Sequence, residues 1–238
     1  MKIYGRSVCF EAFYTKQKIF KAYILKDLET KDINFISKLK NENINIIFSS
    51  KKDLDKMYLN NQGYIFEIAD YKYYNLEEEI DLNKRQCFLM LDGITDPQNL
   101  GAILRTAEAT NIDGIIIPKN NSISITETVA KISTGSLFNV KVIMVNNLNT
   151  TIDYLKENRF WVYGSDINGT INYTEIDINQ SIVLIIGSEG YGMRKLTKNK
   201  CDYLIKIPMN GKINSLNASF SAGLLMYEVF RKNNFGGN

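Results

Sequence analysis

Three polar stretches could do chemistry, at residues 91–107, 182–194 and 207–219, and in each a turn or loop follows an apolar run. The last setting, residues 207–219, reads Ile-Pro-Met-Asn-Gly-Lys-Ile-Asn-Ser-Leu-Asn-Ala-Ser. An apolar run stops at Pro208, passes through a polar loop and feeds an apolar segment without proline, which predicts strand, loop and helix. Ser215, Asn217 or Ser219 could each cap that helix with a side-chain oxygen. A second setting follows the apolar residues 182–186 with Gly187-Ser188-Glu189-Gly190-Tyr191-Gly192-Met193-Arg194. A glycine-rich turn behind a buried strand lets a ligand approach the backbone. Its order is not that of a dinucleotide fingerprint, and Met193-Arg194 stands where a P-loop requires Lys followed by Ser or Thr. The third runs from Leu91 to Ala107 as strand end, turn and helix start. There Leu100, Ile103, Leu104 and Ala107 form one stripe, and Arg105 projects from roughly the opposite side, able to lean back toward Asn99.

Composition narrows the chemistry. The chain has no histidine, which removes a Ser/His/Asp triad, a histidine-ligated metal and a histidine base. Its three cysteines, Cys9, Cys87 and Cys201, are too far apart for a CxxC site and odd in number for a disulfide framework, so they read as buried or incidental thiols. A net charge of +3 does not by itself announce a polyanion partner, although a local basic face is compatible with it. Lys16, Lys18, Lys21 and Lys26 beside Phe13, Tyr14, Phe20 and Tyr23 have the composition of an RNA-facing patch, and solvation alone would also account for each lysine. Charged residues interrupt the apolar ones from 1 to 20, and no apolar run reaches the length of a membrane span; a cytoplasmic chain is expected.

The elements that must position these loops form two groups. Residues 1–76 read as a small α/β unit with strands near 22–25, 44–48 and 64–69 and helices near 31–40 and 51–59. Residues 77–86 are the expected linker, where periodicity lapses around Glu77-Glu78-Glu79. Residues 87–238 alternate apolar strands (88–91, 114–117, 140–145, 160–164, 182–186, 203–207) with helices (99–110, 126–133, 149–158, 190–198, 217–231). That pattern predicts a mostly parallel sheet covered by helices on both faces, with ligands beyond the carboxyl ends of the strands. The last helix carries two apolar stripes. Ala222, Leu225, Met226 and Val229 suit its own sheet; Phe220, Gly223, Leu224 and Tyr227 suit a second subunit, so a homodimer is expected.

Taken in chain order, the three loops resemble the three signature motifs of the SpoU (TrmH-type) RNA 2′-O-ribose methyltransferases of the SPOUT superfamily, over residues 87–230. Tyr4-Gly5, Val8 and Glu11-Ala12 resemble more loosely the L30e-like substrate-binding domain of members that methylate large-subunit rRNA. The resemblance implies a deep trefoil knot, which general rules of topology would exclude, a homodimer sharing the RNA site, and S-adenosylmethionine as cofactor without a metal. It implies that Gly187, Ile207, Leu216, Met209 and Asn217 hold the cofactor together with Thr134 and Gly135, next to Ser133. Asn99, Arg105, Glu189, Ser215 and Asn217 fall on its catalytic positions. The implied reaction is methyl transfer to a ribose 2′-OH, on a guanosine of 23S rRNA. Histidines usual in the N-terminal domain of rRNA-specific relatives are missing, with Ser7 and Asn61 near their expected places, which keeps a tRNA substrate in view. A non-catalytic RNA-binding or ribosome-assembly protein would have no evident need for all five polar residues. A nucleotide-dependent oxidoreductase would need the glycine fingerprint that is absent.

Overall fold

The computed structural model describes residues 1–211 and 215–235, residue 235 by its backbone. Its first elements are β1 (Lys2–Tyr4), α1 (Arg6–Tyr14), β2 (Ile19–Leu25), α2 (Leu28–Lys31), α3 (Ile33–Asn41), β3 (Asn45–Ser49), α4 (Lys51–Met57) and β4 (Tyr64–Ile68). There follow α5 (Leu76–Glu79), β5 (Cys87–Asp92), α6 (Pro97–Thr110), β6 (Gly114–Pro118), α7 (Glu127–Ile132), β7 (Val142–Val145) and α8 (Leu148–Glu157). The chain then runs through β8 (Phe160–Ser165), β9 (Ile171–Asn172), β10 (Ser181–Gly187), α9 (Lys195–Lys200), β11 (Tyr203–Lys206) and α10 (Ala218–Phe235).

Two compact units result. The first comprises Met1–Lys72 with Ile125–Asn139, the second Tyr73–Ser124 with Val140–Asn238. In the first, a four-stranded sheet of order β1-β4-β2-β3 has β4 antiparallel to both neighbours and β2 parallel to β3. The rings of Phe10, Phe35, Tyr64 and Phe66 pack together in its core. The division differs from the expected segments 1–76, 77–86 and 87–238 in two places: 73–86 goes with the second unit, and 125–139 with the first. Asn139 Nδ2 donates to Glu11 Oε1 at 2.7 Å, Tyr58 Oη to Glu127 Oε1 at 3.3 Å, and Lys131 Nζ to the Asn60 carbonyl at 3.2 Å. The expected linker is internally hydrogen-bonded: the Asp81 N–H donates to Gln86 Oε1 at 2.7 Å, and Gln86 Nε2 donates to the Glu79 carbonyl at 2.9 Å.

The second unit is a seven-stranded sheet of order β7-β6-β5-β10-β8-β11-β9, parallel at every pairing. Its central strands read as continuous apolar runs because both faces are covered: every residue of β5 and β6 is buried. Phe88, Met90, Val183 and Ile185 project to one face, against Leu148, Ile152 and Leu155 of α8. By alternation Leu89, Leu91 and Leu184 take the other, and α10 packs on β10 and on α6. Of the two stripes on α10, Ala222, Leu225, Met226 and Val229 are buried, whereas Phe220 and Tyr227 are exposed. Among the described residues no helix is long and apolar enough to cross a membrane.

Local sequence explains most boundaries. The Asp96 side chain accepts the Gln98 N–H at 2.9 Å, Pro97 occupies the first turn, and Asn111 ends α6 in the left-handed region. The helix expected at 190–198 starts instead at Lys195, because Gly190 and Gly192 take positive φ and the Arg194 N–H is bound by Asp92. The α1 helix and the short β1 and β9 are absent from the sequence reading; α1 has weak amphipathic spacing, with Val8, Cys9 and Ala12 its buried residues.

Burial raises all three thiols, that of Cys201 to about 12. Since the thiolate is the reactive form, Ellman's reagent should label the native chain slowly and release three thiols only on unfolding. A fast-reacting thiol in the native chain would contradict this packing.

Candidate active site

Three loops of the second unit meet around one carboxylate. Asn99 sits in the first turn of α6, buried among the helix and its neighbours. Glu189 sits at the tip of the turn after β10, where Ser188 N–H donates to the Gly192 carbonyl at 3.1 Å and Gly192 N–H to the Ser188 carbonyl at 2.9 Å. Asn217 precedes α10 and caps it: its Oδ1 accepts from Ser219 N–H at 3.0 Å and Phe220 N–H at 3.2 Å. Of the three candidate caps, Asn217 is therefore the one used, and the Ser219 hydroxyl donates to the same oxygen at 2.6 Å.

Glu189 Oε1 accepts from Asn99 Nδ2 at 3.1 Å, from Asn217 Nδ2, and from the Ala218 N–H at 3.3 Å. Asn217 Nδ2 also donates to Asn99 Oδ1 at 2.9 Å. A carboxylate with several donors, at a helix N-terminus, is stabilised by charge-assisted hydrogen bonds and by the helix dipole. Residue 99 is thereby tied to residue 189 across 90 positions of chain and to residue 217 across 118.

The turn that carries Glu189 depends on Gly187. A Cβ built there would lie 2.1 Å from both Gly192 C and Met193 N. The space that the sequence suggested for a ligand is filled at this glycine by the chain's own return. The far end of the turn is anchored by Asp92, buried at the carboxyl end of β5: its Oδ2 accepts the Arg194 N–H at 2.8 Å, and Arg194 Nε lies 3.4 Å from Oδ1. Asp92 was missed in the sequence, although an acid directly behind an apolar run was the available signal.

Next to this cluster is a cleft lined by Gly187, Glu189, Ile207, Met209, Ser215 and Leu216, with residues 165–168 behind β8 closing one side. These are the carboxyl ends of β10, β11 and β8, where a parallel sheet binds its ligands. The loop at 165–168 had no signal of its own, since strand order brings it there. Residues 212–214, inside the third motif, lie outside the described residues. Arg105 is exposed on α6, and among the described residues none pairs with its guanidinium. Thr134 and Gly135 belong to the first unit and are not among the residues lining the cleft; a Cβ on Gly135 would lie 2.6 Å from Glu11 Cβ. Of the basic and aromatic residues near the N-terminus, Lys18 stands 5.4 Å over the Phe20 ring, while Tyr14 is paired with Lys38, which the sequence reading had not included. Among the described residues no group of His, Cys, Asp or Glu has the makings of a metal site.

Residues 86–227, which contain all three loops and the cleft, match the model of the SpoU rRNA Methylase family. The chain belongs to that family. Residues 2–74 match the model described as RNA 2'-O ribose methyltransferase substrate binding. A protein of Staphylococcus aureus named as a TrmH family tRNA/rRNA methyltransferase is 46% identical over 238 residues, covering 97% of this chain and 95% of its own length. Its namesake from Staphylococcus saprophyticus is 43% identical over 242 residues, covering 99% and 97%. In fold, the chain is similar to the SpoU methyltransferase AviRb from Streptomyces viridochromogenes, solved in complex with the cofactor AdoMet, with a TM-score of 0.84 at 22% identity over 98% of this chain and 90% of that one.

Removing the shared acceptor tests the cluster. Glu189→Ala leaves Asn99 Nδ2 and the first N–H of α10 without their partner, at a cost of about 1–3 kcal/mol. The variant should melt measurably below the wild type, and an unchanged melting temperature would mean that the carboxylate does not hold the loops.

Proposed function

We propose that this chain transfers the methyl group of S-adenosylmethionine to a ribose 2′-hydroxyl of RNA, on a guanosine of large-subunit (23S) rRNA. The observation that carries the proposal is the meeting of Asn99, Glu189 and Asn217 beside a cleft walled by Ile207, Met209 and Leu216. A tRNA ribose is the second reading, favoured by the double substrate in the name of the staphylococcal relatives. A non-catalytic RNA binder would have no evident need for all five of Asn99, Arg105, Glu189, Ser215 and Asn217.

The cleft fits the cofactor. An adenosine needs apolar surface for its ring and polar groups for its edge and hydroxyls; half-buried Ile207, Met209 and Leu216 offer the first, and Ser165, Asp166 and Ser221 the second. When bound, the sulfonium supplies an electrophilic methyl and leaves as a neutral thioether, so the chain's own groups have to orient the ribose and manage its proton.

Hydrogen-bond capacity separates their roles. Asn217 has used both amide hydrogens, on Glu189 and Asn99, and its oxygen caps α10, so it holds the site together. Asn99 keeps one N–H, Glu189 keeps Oε2, and the Ser215 hydroxyl has no described partner; these three are the groups left to orient ribose and phosphate. Arg105 supplies an unpaired cation. A guanidinium stays protonated and does not serve as a base. It binds the adjacent phosphate and stabilises charge developing on the 2′-oxygen, while the proton passes to phosphate or water. The exposed face of α10 at Phe220 and Tyr227 supports a homodimer, which the same proposal includes along with the knot and a cytoplasmic setting.

With tritiated S-adenosylmethionine and bulk RNA, the wild type should label large-subunit rRNA at a ribose. Arg105→Ala should lose about 100-fold or more of that transfer, while isothermal calorimetry finds cofactor affinity within about twofold of wild type. Preserved turnover would remove Arg105 from the mechanism.

A further inference from the structure

Tyr191 is 96% exposed, the most exposed of the large apolar residues described in the chain. Surface tyrosines usually lay the ring along a neighbour, because its apolar body is costly to hydrate. This ring is instead held out at the tip of a turn whose base is closed by the two Ser188–Gly192 hydrogen bonds. Both flanking glycines have positive φ, +84° and +66°, and a Cβ on either would meet nothing within 4 Å. The turn is braced on one side by Glu189, bound to Asn99 and Asn217, and on the other by Asp92, bound to the Arg194 backbone. The ring is exposed by construction, since the rest of the turn is tied down.

The turn also separates two recesses. One is the cleft assigned to the cofactor; the other, on the far side of Ser188, Tyr191 and Gly192, is lined by Thr95, Asn121, Arg194 and Lys195. Its walls are joined where the Ile123 N–H donates to the Ile94 carbonyl at 3.0 Å. Thr95 and Asn121 are exposed and offer a hydroxyl and an amide. Arg194 stays half-exposed although Asp92 anchors it, and Lys195 is exposed at the start of α9. An aromatic face, polar groups able to bond a base edge, and two cations are the components of a single-stranded nucleotide site.

We propose that Tyr191 stacks on a base of the RNA, with Thr95 and Asn121 at the base edge and Arg194 and Lys195 toward the phosphates, so that this recess seats a nucleotide next to the methyl-transfer centre. The inference rests on the reading of the chain as an RNA methyltransferase, and it adds a specificity-determining residue that the three motifs do not predict. Stacking requires an unpaired base, so the RNA segment bound here is single-stranded.

The test uses the full chain and a short single-stranded RNA oligonucleotide carrying 2-aminopurine, whose fluorescence is quenched on stacking. Wild type and Tyr191→Phe should bind with similar affinity and quenching. Tyr191→Ala should bind about 5- to 150-fold more weakly, the effect of one lost stack, with an unchanged melting temperature because the ring packs on nothing. Equal binding by Tyr191→Ala would overturn the proposal. So would weaker binding accompanied by a change of oligomeric state in sedimentation, which would give the ring to a second copy of the chain. Tritium transfer to bulk RNA is read separately: a wild type that shows Tyr191-dependent binding without transfer leaves this site standing and removes the enzymatic reading.

Discussion

The carboxylate of Glu189 is the point on which the second unit's site depends. It accepts hydrogen bonds from the first turn of α6, from the residue capping α10 and from the first N–H of α10 itself. Bonds to a charged acceptor contribute about 1.5–3 kcal/mol each, enough to hold loops whose backbones would otherwise remain mobile. The carboxylate also joins two helix starts, and each helix brings something exposed: Arg105 on α6, and the Phe220 and Tyr227 face on α10. Loss of this acceptor would loosen the cation, the cap and the cleft together.

The sheet supplies the second constraint. With all pairings parallel, the carboxyl ends of β5, β8, β10 and β11 lie along one edge, and Asp92, residues 165–168, Gly187 and Ile207 follow from them in turn. The return of the chain against Gly187 leaves no space for a side chain there. That contact makes the turn compact enough for Glu189 to reach the two helix starts while Tyr191 remains outside. Holding and binding are thus divided among neighbouring residues of one short turn.

Much of this was legible in the sequence, for physical reasons. Buried parallel strands appear as unbroken Val, Ile and Leu runs, and α6 appears as the stripe of Leu100, Ile103, Leu104 and Ala107. The three polar loops could be found because each interrupts such a pattern. What remained hidden was set by contacts between distant parts of the chain. Residues 125–139 look like any helix of the alternating pattern, and contacts with Tyr4, Glu11, Tyr58 and Asn60 give them to the first unit. Asp92 looks like the end of a strand until Arg194 is seen to bind it, and the choice of Asn217 over Ser215 and Ser219 as cap was open to local chemistry but decided by tertiary geometry.

The proposal that these residues methylate a ribose of RNA is decided by mapping 2′-O-methyl nucleotides in rRNA and tRNA from cells with and without the gene. One ribose methyl, on a guanosine of large-subunit rRNA, should disappear with the gene and return with the wild-type copy. Ribose methylation identical in the two strains, or the loss of a base methyl instead, would contradict it.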